Sequence, residues 1–265
     1  GKIPNQRNLD VEKFSGEGRL DIRLDNGLKA TLSGGFCQIS NIELAPSSAF
    51  QIENWSEGFV QGRLSYKDLF AQMFFNWNDS GESYNLRTGD FWVDKSTQLV
   101  TQIQHGFTLL QDRQRFTYGA EILLTRLDSD KTIFGRNEAK SDINEVGVYV
   151  QSETELSSRL KWVMAARFDD QNFLPDPVFS PRAALVFNPN PLHKFRITYN
   201  QAFQTPTPPS LFLDINILPT LGGLPYAVEF LGIPPKTGFN FRRDANGGTG
   251  GLYMQSPFVP ENVGG

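Results

Sequence analysis

Charged and amide side chains recur at alternate positions in the middle of this 265-residue chain, and that spacing places them on one face of a β-strand. The members of this group are Glu145, Gln151, Arg167, Asp169, Arg182 and Arg196. Carboxylates facing guanidinium groups can form a network of charge-assisted hydrogen bonds. The alternative is a set of separately solvated charges, which would contribute little to stability.

Aromatic side chains in polar, irregular segments form a second group of candidates. They are Trp55, Tyr84, Trp92, Tyr226 and Tyr253. Rings of this kind offer large flat apolar faces, which can stack on sugars or on aromatic iron chelators, so we expect them to contact a ligand. The alternative is that these rings pack the loops against one another.

Other chemistry is poorly supported. Asp169, Asp170 and Asp176 are oxygen donors near one loop, but they lack the spacing of an EF-hand. His105 and His193 stand alone, and no Gly-x-Ser-x-Gly, His-Glu-x-x-His or P-loop motif occurs. We therefore expect that the protein is not an enzyme and that it binds neither a metal nor a cofactor.

The elements that must position these residues are strands of alternating hydrophobicity. From Phe14 to Leu24 the even positions are apolar or Gly and the odd positions are polar or charged. Asn26-Gly27 then favours a tight type I′ turn, because both residues tolerate positive φ angles. The segment from Leu28 to Phe36 repeats the alternation on the return. The sequence thus predicts a hairpin with one apolar and one charged face.

The same pattern continues and predicts ten strands, joined alternately by short turns and long loops. The predicted strands cover about 14–24, 28–36, 58–66, 69–77, 99–110, 116–125, 145–153, 160–169, 182–187 and 194–200. The predicted long loops cover about 45–57, 78–96 and 127–143. From Gln204 onward Pro and Gly are frequent and the alternation stops, so we expect a poorly packed tail.

Composition narrows the class of protein. Hydrophobic content is 39%, and no run of about 18 apolar residues could form a transmembrane helix. Twenty-two Phe and four Trp residues are many for so polar a chain, and the net charge of −4 gives no argument for binding nucleic acid. Cys37 is the only cysteine, so an intramolecular disulfide and a Cys-based zinc cluster are excluded.

Two all-β architectures fit any single hairpin. In a soluble sandwich the charged face would be the exterior, whereas in a membrane barrel it would line the lumen. The predicted strands are long enough to cross a bilayer, and consecutive hairpins with one-sided loops favour an up-and-down arrangement. The pattern therefore favours an antiparallel up-and-down transmembrane β-barrel, here an incomplete set of about ten strands.

Four motifs in order along the chain resemble the barrel of TonB-dependent outer-membrane receptors. They are Val148-Tyr149-Val150-Gln151, then Ala165 to Asp169, then Ser180 to Phe187, then Phe195 to Pro206. The second departs from the Gly-x-Arg-Tyr-Asp pattern of the family, since Ala165 and Phe168 replace its Gly and Tyr. Arg and Asp of that pattern are kept.

The resemblance implies a domain organisation. Such receptors have an N-terminal plug inside a barrel of about 22 strands. Residues 1–203 would be part of the barrel, roughly its first half, with no plug domain in this sequence. Residues 204–265 would be a long extracellular loop that leads to a further strand.

The resemblance also implies a function. The protein would be a receptor in the bacterial outer membrane for TonB-energised uptake of a scarce solute, such as a siderophore, a vitamin or a glycan. Its partners would be outer-membrane lipid, its own plug, the TonB complex of the inner membrane and a small or oligomeric ligand. The six charged and amide residues would then face the lumen and the plug. The alternative is a passive porin or a structural or adhesive barrel.

Overall fold

A computed structural model describes residues 7–45, 48–218, 228–236, 240–242 and 253–255. Strands dominate it, as the alternating pattern predicts. In chain order they are β1 (Glu12–Arg23), β2 (Lys29–Ala45), β3 (Ser48–Tyr66), β4 (Leu69–Asp79), β5 (Tyr84–Asn85), β6 (Thr97–Leu109), β7 (Gln114–Arg126), β8 (Ile143–Ser157), β9 (Leu160–Gln171), β10 (Val178–Asn190), β11 (His193–Asn200), β12 (Asp214–Leu218), β13 (Val228–Leu231), β14 (Asn240–Arg242) and β15 (Tyr253–Gln255). The helical elements are a 3-10 turn, Gly135–Lys140, and α1, Pro208–Phe212.

Ten long strands form one antiparallel sheet in the order β1-β2-β3-β4-β6-β7-β8-β9-β10-β11, with the short β5 paired to β3. Each long strand therefore pairs with the strands before and after it in the chain. This is the predicted up-and-down arrangement, and the ten predicted strands are all present. The pairs β12–β13 and β14–β15 form two further small sheets.

Five short connections lie at one edge of the sheet, which we call the turn edge. Three long connections lie at the opposite loop edge, where only two residues also separate the end of β2 from the start of β3. The turn edge holds residues 24–28, 67–68, 110–113, 158–159 and 191–192. The loop edge holds 80–96, 127–142, 172–177 and the described residues that directly follow β11, 201–213. The first turn forms where the sequence predicts it, with Gly27 at a φ of 87° and the amide of Leu28 donating to the side chain of Asn26. The predicted type I′ conformation is wrong, because Asn26 does not adopt the positive φ that this turn type requires.

The register separates the side chains into an apolar face and a polar face. Leu20 pairs with Leu32, and Val148 pairs with Phe168 on the same apolar face. This face is bare: Leu20, for example, is 56% exposed. The polar face carries Asp21 and, in the same row, residues such as Thr31, Arg63, Gln72, Gln102 and Glu121. The face assignment predicted from the sequence is confirmed.

One predicted loop is wrong in the structure. Most of 45–57 is strand, because β3 begins at Ser48 and pairs with β2 almost to its end. The polar residues that resemble a loop in sequence are hydrogen-bonded in place. Gln51 is buried, accepts a bond from the amide of Asn8 and donates one to the carbonyl oxygen of Asn41. The ladder shifts register between Ile39 and Asn41, near Asn54 with its φ of 58°.

The prediction of a poorly packed tail is also wrong for residues 204–218. Leu211 and Phe212 of α1 are 0% and 2% exposed. They pack in a hydrophobic core with Ile133, Phe134 and Ile143, which belong to the loop before β8 and to its first residue. The core of the molecule thus lies at the loop edge. Neither helical element in the described residues has the length or the apolar character to cross a bilayer.

Candidate functional site

An ion-pair cluster occupies the polar face where β7, β8 and β9 lie side by side. The guanidinium of Arg167 lies 2.7 Å from Asp169 and 3.2 Å from Glu121. Asp169 pairs with Gly147, and Gly147 pairs with Glu121, so one row holds the two carboxylates with a glycine between them. A Cβ at Gly147 would lie 2.4 Å from Arg167 Nη2, and the glycine therefore leaves the space that the guanidinium fills.

Neutral polar groups continue this surface toward β4 and β6. The hydroxyl of Tyr149 donates to Gln104 at 2.8 Å, and it crosses above Gly119, where a Cβ would lie 2.6 Å from the hydroxyl. Gln72 donates to Gln102 at 3.2 Å. The polar face thus carries several separate hydrogen-bonded groups, which offer both donors and acceptors to a polar partner.

The six predicted residues of the polar face divide into separate groups. Arg167 and Asp169 belong to the cluster, and Glu145 accepts a bond from Gln171 beside it. Gln151 binds Glu153, which is ion-paired with Lys161. Within the described residues, Arg182 and Arg196 are exposed and make no ion pair. Glu121 and Lys161 were not among the predicted site residues, because only the register of the strands brings them next to Arg167 and Glu153.

A cleft of 840 Å³ opens on the polar face close to the loop edge. Its lining includes Trp55 and Phe59, the amides of Asn76 and Gln98, and three carboxylates, those of Glu17, Glu57 and Asp94. No Lys or Arg occurs among the described residues that line it. The indole Nε1 of Trp55 is buried and makes no hydrogen bond within the described chain. Rings, amides and carboxylates together can hold neutral polyhydroxylated or cationic groups.

Beside this cleft, residues 80–96, 127–142, 207–218 and 228–233 pack together, and we call this assembly the loop platform. Trp92 meets the ring of Phe50 edge to face at 4.8 Å. The amide of Val93 donates to the hydroxyl of Thr132 at 2.9 Å, and the amide of Lys95 donates to the carbonyl oxygen of Asp128 at 2.7 Å. Two loops that are far apart in sequence are thereby joined.

The third segment of the platform is held by Asp214. Its carboxylate accepts bonds from the backbone amide, Nε and Nη2 of Arg136, at 2.7 to 2.9 Å. Gly135 has a φ of 40°, and a Cβ there would lie 2.5 Å from the carboxylate, so the turn fits only glycine. These bonds hold the pKa of Asp214 below its ordinary value, and they raise the pKa of Arg136, which also lies 3.0 Å from Glu229.

The predicted aromatic residues fall into three situations. Trp55 is half-buried and lines the cleft. Tyr84 is 2% exposed and Trp92 packs in the platform. Both rings therefore pack the loops against one another, which is the alternative to contact with a ligand. Tyr226 and the side chain of Tyr253 lie outside the described residues. Phe91, which is exposed beside Trp92, is a loop ring that a ligand could reach.

Comparison with known proteins supports the interpretation of the sheet. The search against curated proteins returned no match. The family model described as "TonB dependent receptor-like, beta-barrel" matches residues 11–252, which is nearly the whole chain and includes every strand of the large sheet. The sheet explains the match, since its apolar face is bare, its polar face is hydrogen-bonded, and its turns and loops lie at opposite edges. The chain belongs to the TonB-dependent receptor-like β-barrel family, and its sheet is a wall of such an outer-membrane barrel.

Proposed function

We propose that the complete protein is an energised receptor that binds a scarce solute at its loop edge and admits it through the barrel. The energy would come from the TonB complex of the inner membrane. The solute would be a siderophore, a vitamin or a glycan. Family membership supports the general class of outer-membrane receptor, and the geometry of the loop edge supports the role in binding.

The observation that carries this proposal is the continuity between the platform and the cleft. Asp94 lines the cleft, while its neighbours Trp92 and Val93 are fixed in the platform. A ligand in the cleft would therefore touch the same loop that packs against residues 127–142. Since a rigid loop loses less conformational entropy on binding, a packed platform favours a receptor over an open pore.

The polar face has a second role in the proposal. We infer that it lines the lumen and that the protein's own plug rests against it, with the Arg167 cluster as part of the contact. Arg182 of β10 and Arg196 of β11 lie outside the cluster, and both are exposed. Those two cations are available to carboxylates of a plug, and they would be desolvated in that contact.

Uptake measurements test the energised role. The full-length receptor would be expressed in a strain that lacks its own copy, with and without TonB, and radiolabelled siderophores, vitamins and oligosaccharides would be supplied at limiting concentration. Uptake that requires both the receptor and TonB is the expected result. Uptake that requires the receptor but is unchanged without TonB would favour a passive porin. Absence of any receptor-dependent uptake, with cells adhering to surfaces, would favour an adhesive barrel.

A further inference from the structure

Histidine 105 interrupts the apolar face near the turn edge. It lies between its cross-strand partners Leu69 of β4 and Tyr118 of β7. Its Nδ1 atom is 3.1 Å from the Tyr118 hydroxyl, and the two rings meet edge to face. A polar side chain on a lipid-facing surface is costly at the bilayer midplane and is tolerated near the headgroups. The pair of polar rings therefore marks the headgroup level on this wall.

Lysine 67 occupies the turn between β3 and β4, at the same end of the sheet. Its backbone has a φ of 53°, a conformation that Gly or Asn adopts at lower cost. Its ammonium lies 5.2 Å from the centre of the Tyr66 ring, in a cation–π contact. The side chain therefore lies against an aromatic residue of β3 and does not extend freely into water.

This cation lacks a counter-ion in the described chain. The neighbouring Asp68 lies 4.0 Å from the guanidinium of Arg115. Among the described residues no carboxylate is within 4.0 Å of the Lys67 ammonium. An exposed cation against the Tyr66 ring, without an acidic partner, is complementary to an anion supplied from outside the chain.

The register places these groups at the same end of the apolar face, with the Tyr66 and His105 positions two strand spacings, or about 10 Å, apart. Tyr66, Leu69, His105 and Tyr118 form one row across four strands, and Lys67 follows Tyr66 directly. Neighbouring positions in such a row are about 4.8 Å apart. When the Tyr118 hydroxyl donates to Nδ1 of His105, Nε2 carries the ring hydrogen and is a second donor for the same anion. The rings of Phe107 and Phe116, stacked at 5.2 Å, continue the apolar surface beside it.

We propose that Lys67 and His105 form a binding site for the phosphate of a glycerophospholipid in the leaflet on the turn side. The short turns of outer-membrane barrels lie on the periplasmic side, so this is the periplasmic leaflet. The phosphate would accept from the Lys67 ammonium and from Nε2 of His105, while the acyl chains cover Leu69 and Ile103. A lipid fits better than a soluble phosphate, because His105 lies on the bare apolar face, where its neighbours Ile103 and Phe107 are exposed.

Native mass spectrometry of the full-length receptor in detergent, titrated with dioleoylphosphatidylglycerol, tests the site. The substitution Lys67→Gln should weaken lipid binding roughly five-fold, since one cation near a headgroup contributes about a five-fold factor in affinity. Adding His105→Phe should weaken binding further, while Lys67→Arg should keep it. Lys194→Gln is the matched control, because Lys194 lies at the turn edge beside Phe195 but on the opposite face, and it should leave binding unchanged.

Two further titrations separate the source of the phosphate. Dioleoylglycerol, which has the same chains without phosphate, should bind more weakly than the phospholipid, and 10-fold excess inorganic phosphate should not displace the lipid. Equal binding of both lipids, or an equal loss in Lys194→Gln, would overturn the proposal. Displacement by inorganic phosphate would assign the site to a soluble anion and would also overturn it. All these outcomes are independent of TonB and of solute uptake.

Discussion

Arg136 and Asp214 are 78 residues apart in sequence, yet the backbone amide and the guanidinium of one enclose the carboxylate of the other. The side chain of Asp214 is 8% exposed, whereas that of Arg136 is 46% exposed. A single buried carboxylate therefore joins the loop before β8 to the segment after α1. Three hydrogen bonds from Arg136 converge on this carboxylate.

The substitution Asp214→Asn should loosen this link. It keeps the size of the side chain but removes the charge that Arg136 binds. The packed conformation of this part of the platform should therefore lose about 1–3 kcal/mol of stability relative to its locally unfolded form. Amides of residues 208–216 should exchange hydrogen faster in the full-length receptor, measured by mass spectrometry. Glu229→Gln is the control, because Glu229 makes one bond to Arg136 and is more exposed. Equal protection in Asp214→Asn and the unchanged protein would contradict the assignment.

Because of the same Asp214 carboxylate, the stability of the loop platform should fall at acid pH. The pKa of this carboxylate is below the ordinary value of 3.8, because Arg136 binds the charged form. The stabilisation is therefore complete above the ordinary pKa and is lost as pH falls through the lower folded value. The protection of amides in residues 208–216, taken relative to the intrinsic exchange rate at each pH, should be constant from neutral pH down to about pH 4 and fall below it. Asp214→Asn should lack this acid step; a step at the same pH in that variant would point to another group.

A charge placed on the apolar face should be costly. Leu20→Arg, Val148→Arg and Met164→Arg should each destabilise the folded barrel by about 2–4 kcal/mol if the residue lies near the bilayer midplane. Arginine at Thr117, on the polar face, should cost much less because that face does not meet lipid. Equilibrium folding of the full-length receptor into vesicles measures the difference. If both faces tolerate arginine equally, the face assignment is wrong.

The stability of the ion-pair cluster around Arg167 should depend strongly on the guanidinium group. Arg167→Met would remove the cation shared by Glu121 and Asp169, which lie on either side of Gly147, and the carboxylate of Asp169 is only 3% exposed. Breaking such a pair typically costs about 3–5 kcal/mol. Adding Asp169→Asn to Arg167→Met should recover part of this loss in urea unfolding. A double variant as unstable as the single one would show that the cost arises from packing over Gly147 and not from charge.

The two edge strands of the large sheet should make this 265-residue chain aggregate in water. Within the described residues, β1 pairs only with β2, and β11 pairs only with β10. Each therefore presents an unpaired row of N–H and C=O groups beside a bare apolar face, and such edges drive aggregation. The 265-residue chain expressed alone, without detergent, should sediment as large aggregates. A monodisperse monomer would instead support the soluble sandwich.

Local patterns in the sequence predict the strands and faces well, because side-chain alternation depends on the backbone alone. Phe14 to Leu24, Asn26-Gly27 and the return strand could be assigned without any tertiary information. The segment from Ser48 to Glu57 could not, since its polar residues look like a loop. Gln51 is buried there only because Asn8 and Asn41 happen to supply its hydrogen-bond partners.

Contacts between side chains on different strands could not be predicted from the sequence, because they depend on the register of those strands. Arg167 and Asp169 are two residues apart, so their contact follows from the strand period, whereas Glu121 is 46 residues from Arg167. Its position opposite Gly147 requires the alignment of three strands. Likewise, nothing in the Pro-rich stretch around Leu211 and Phe212 shows that it meets Ile133 and Phe134. The exposed or buried state of each loop aromatic depends on such contacts.

The register also determines the angle at which the strands are inclined to the barrel axis. From Lys29, where β2 begins at the turn edge, the ladder runs through Ser65, Phe70, Gln104, Gly119, Tyr149, Arg167 and Ser180. Seven steps across the sheet thus reach Ser180 in β10, but β10 continues for ten more residues, to Asn190, before its own turn.

If all turns lie in one plane, this offset fixes the angle between the strands and the barrel axis. Seven inter-strand steps span about 34 Å and ten residues about 34 Å, so the strands lean by about 45°. Transmembrane barrels have strands inclined by about 35–45°. The stagger of successive turns, set residue by residue in the hydrogen-bond ladder, is therefore already the shear that a closed cylinder in a membrane requires.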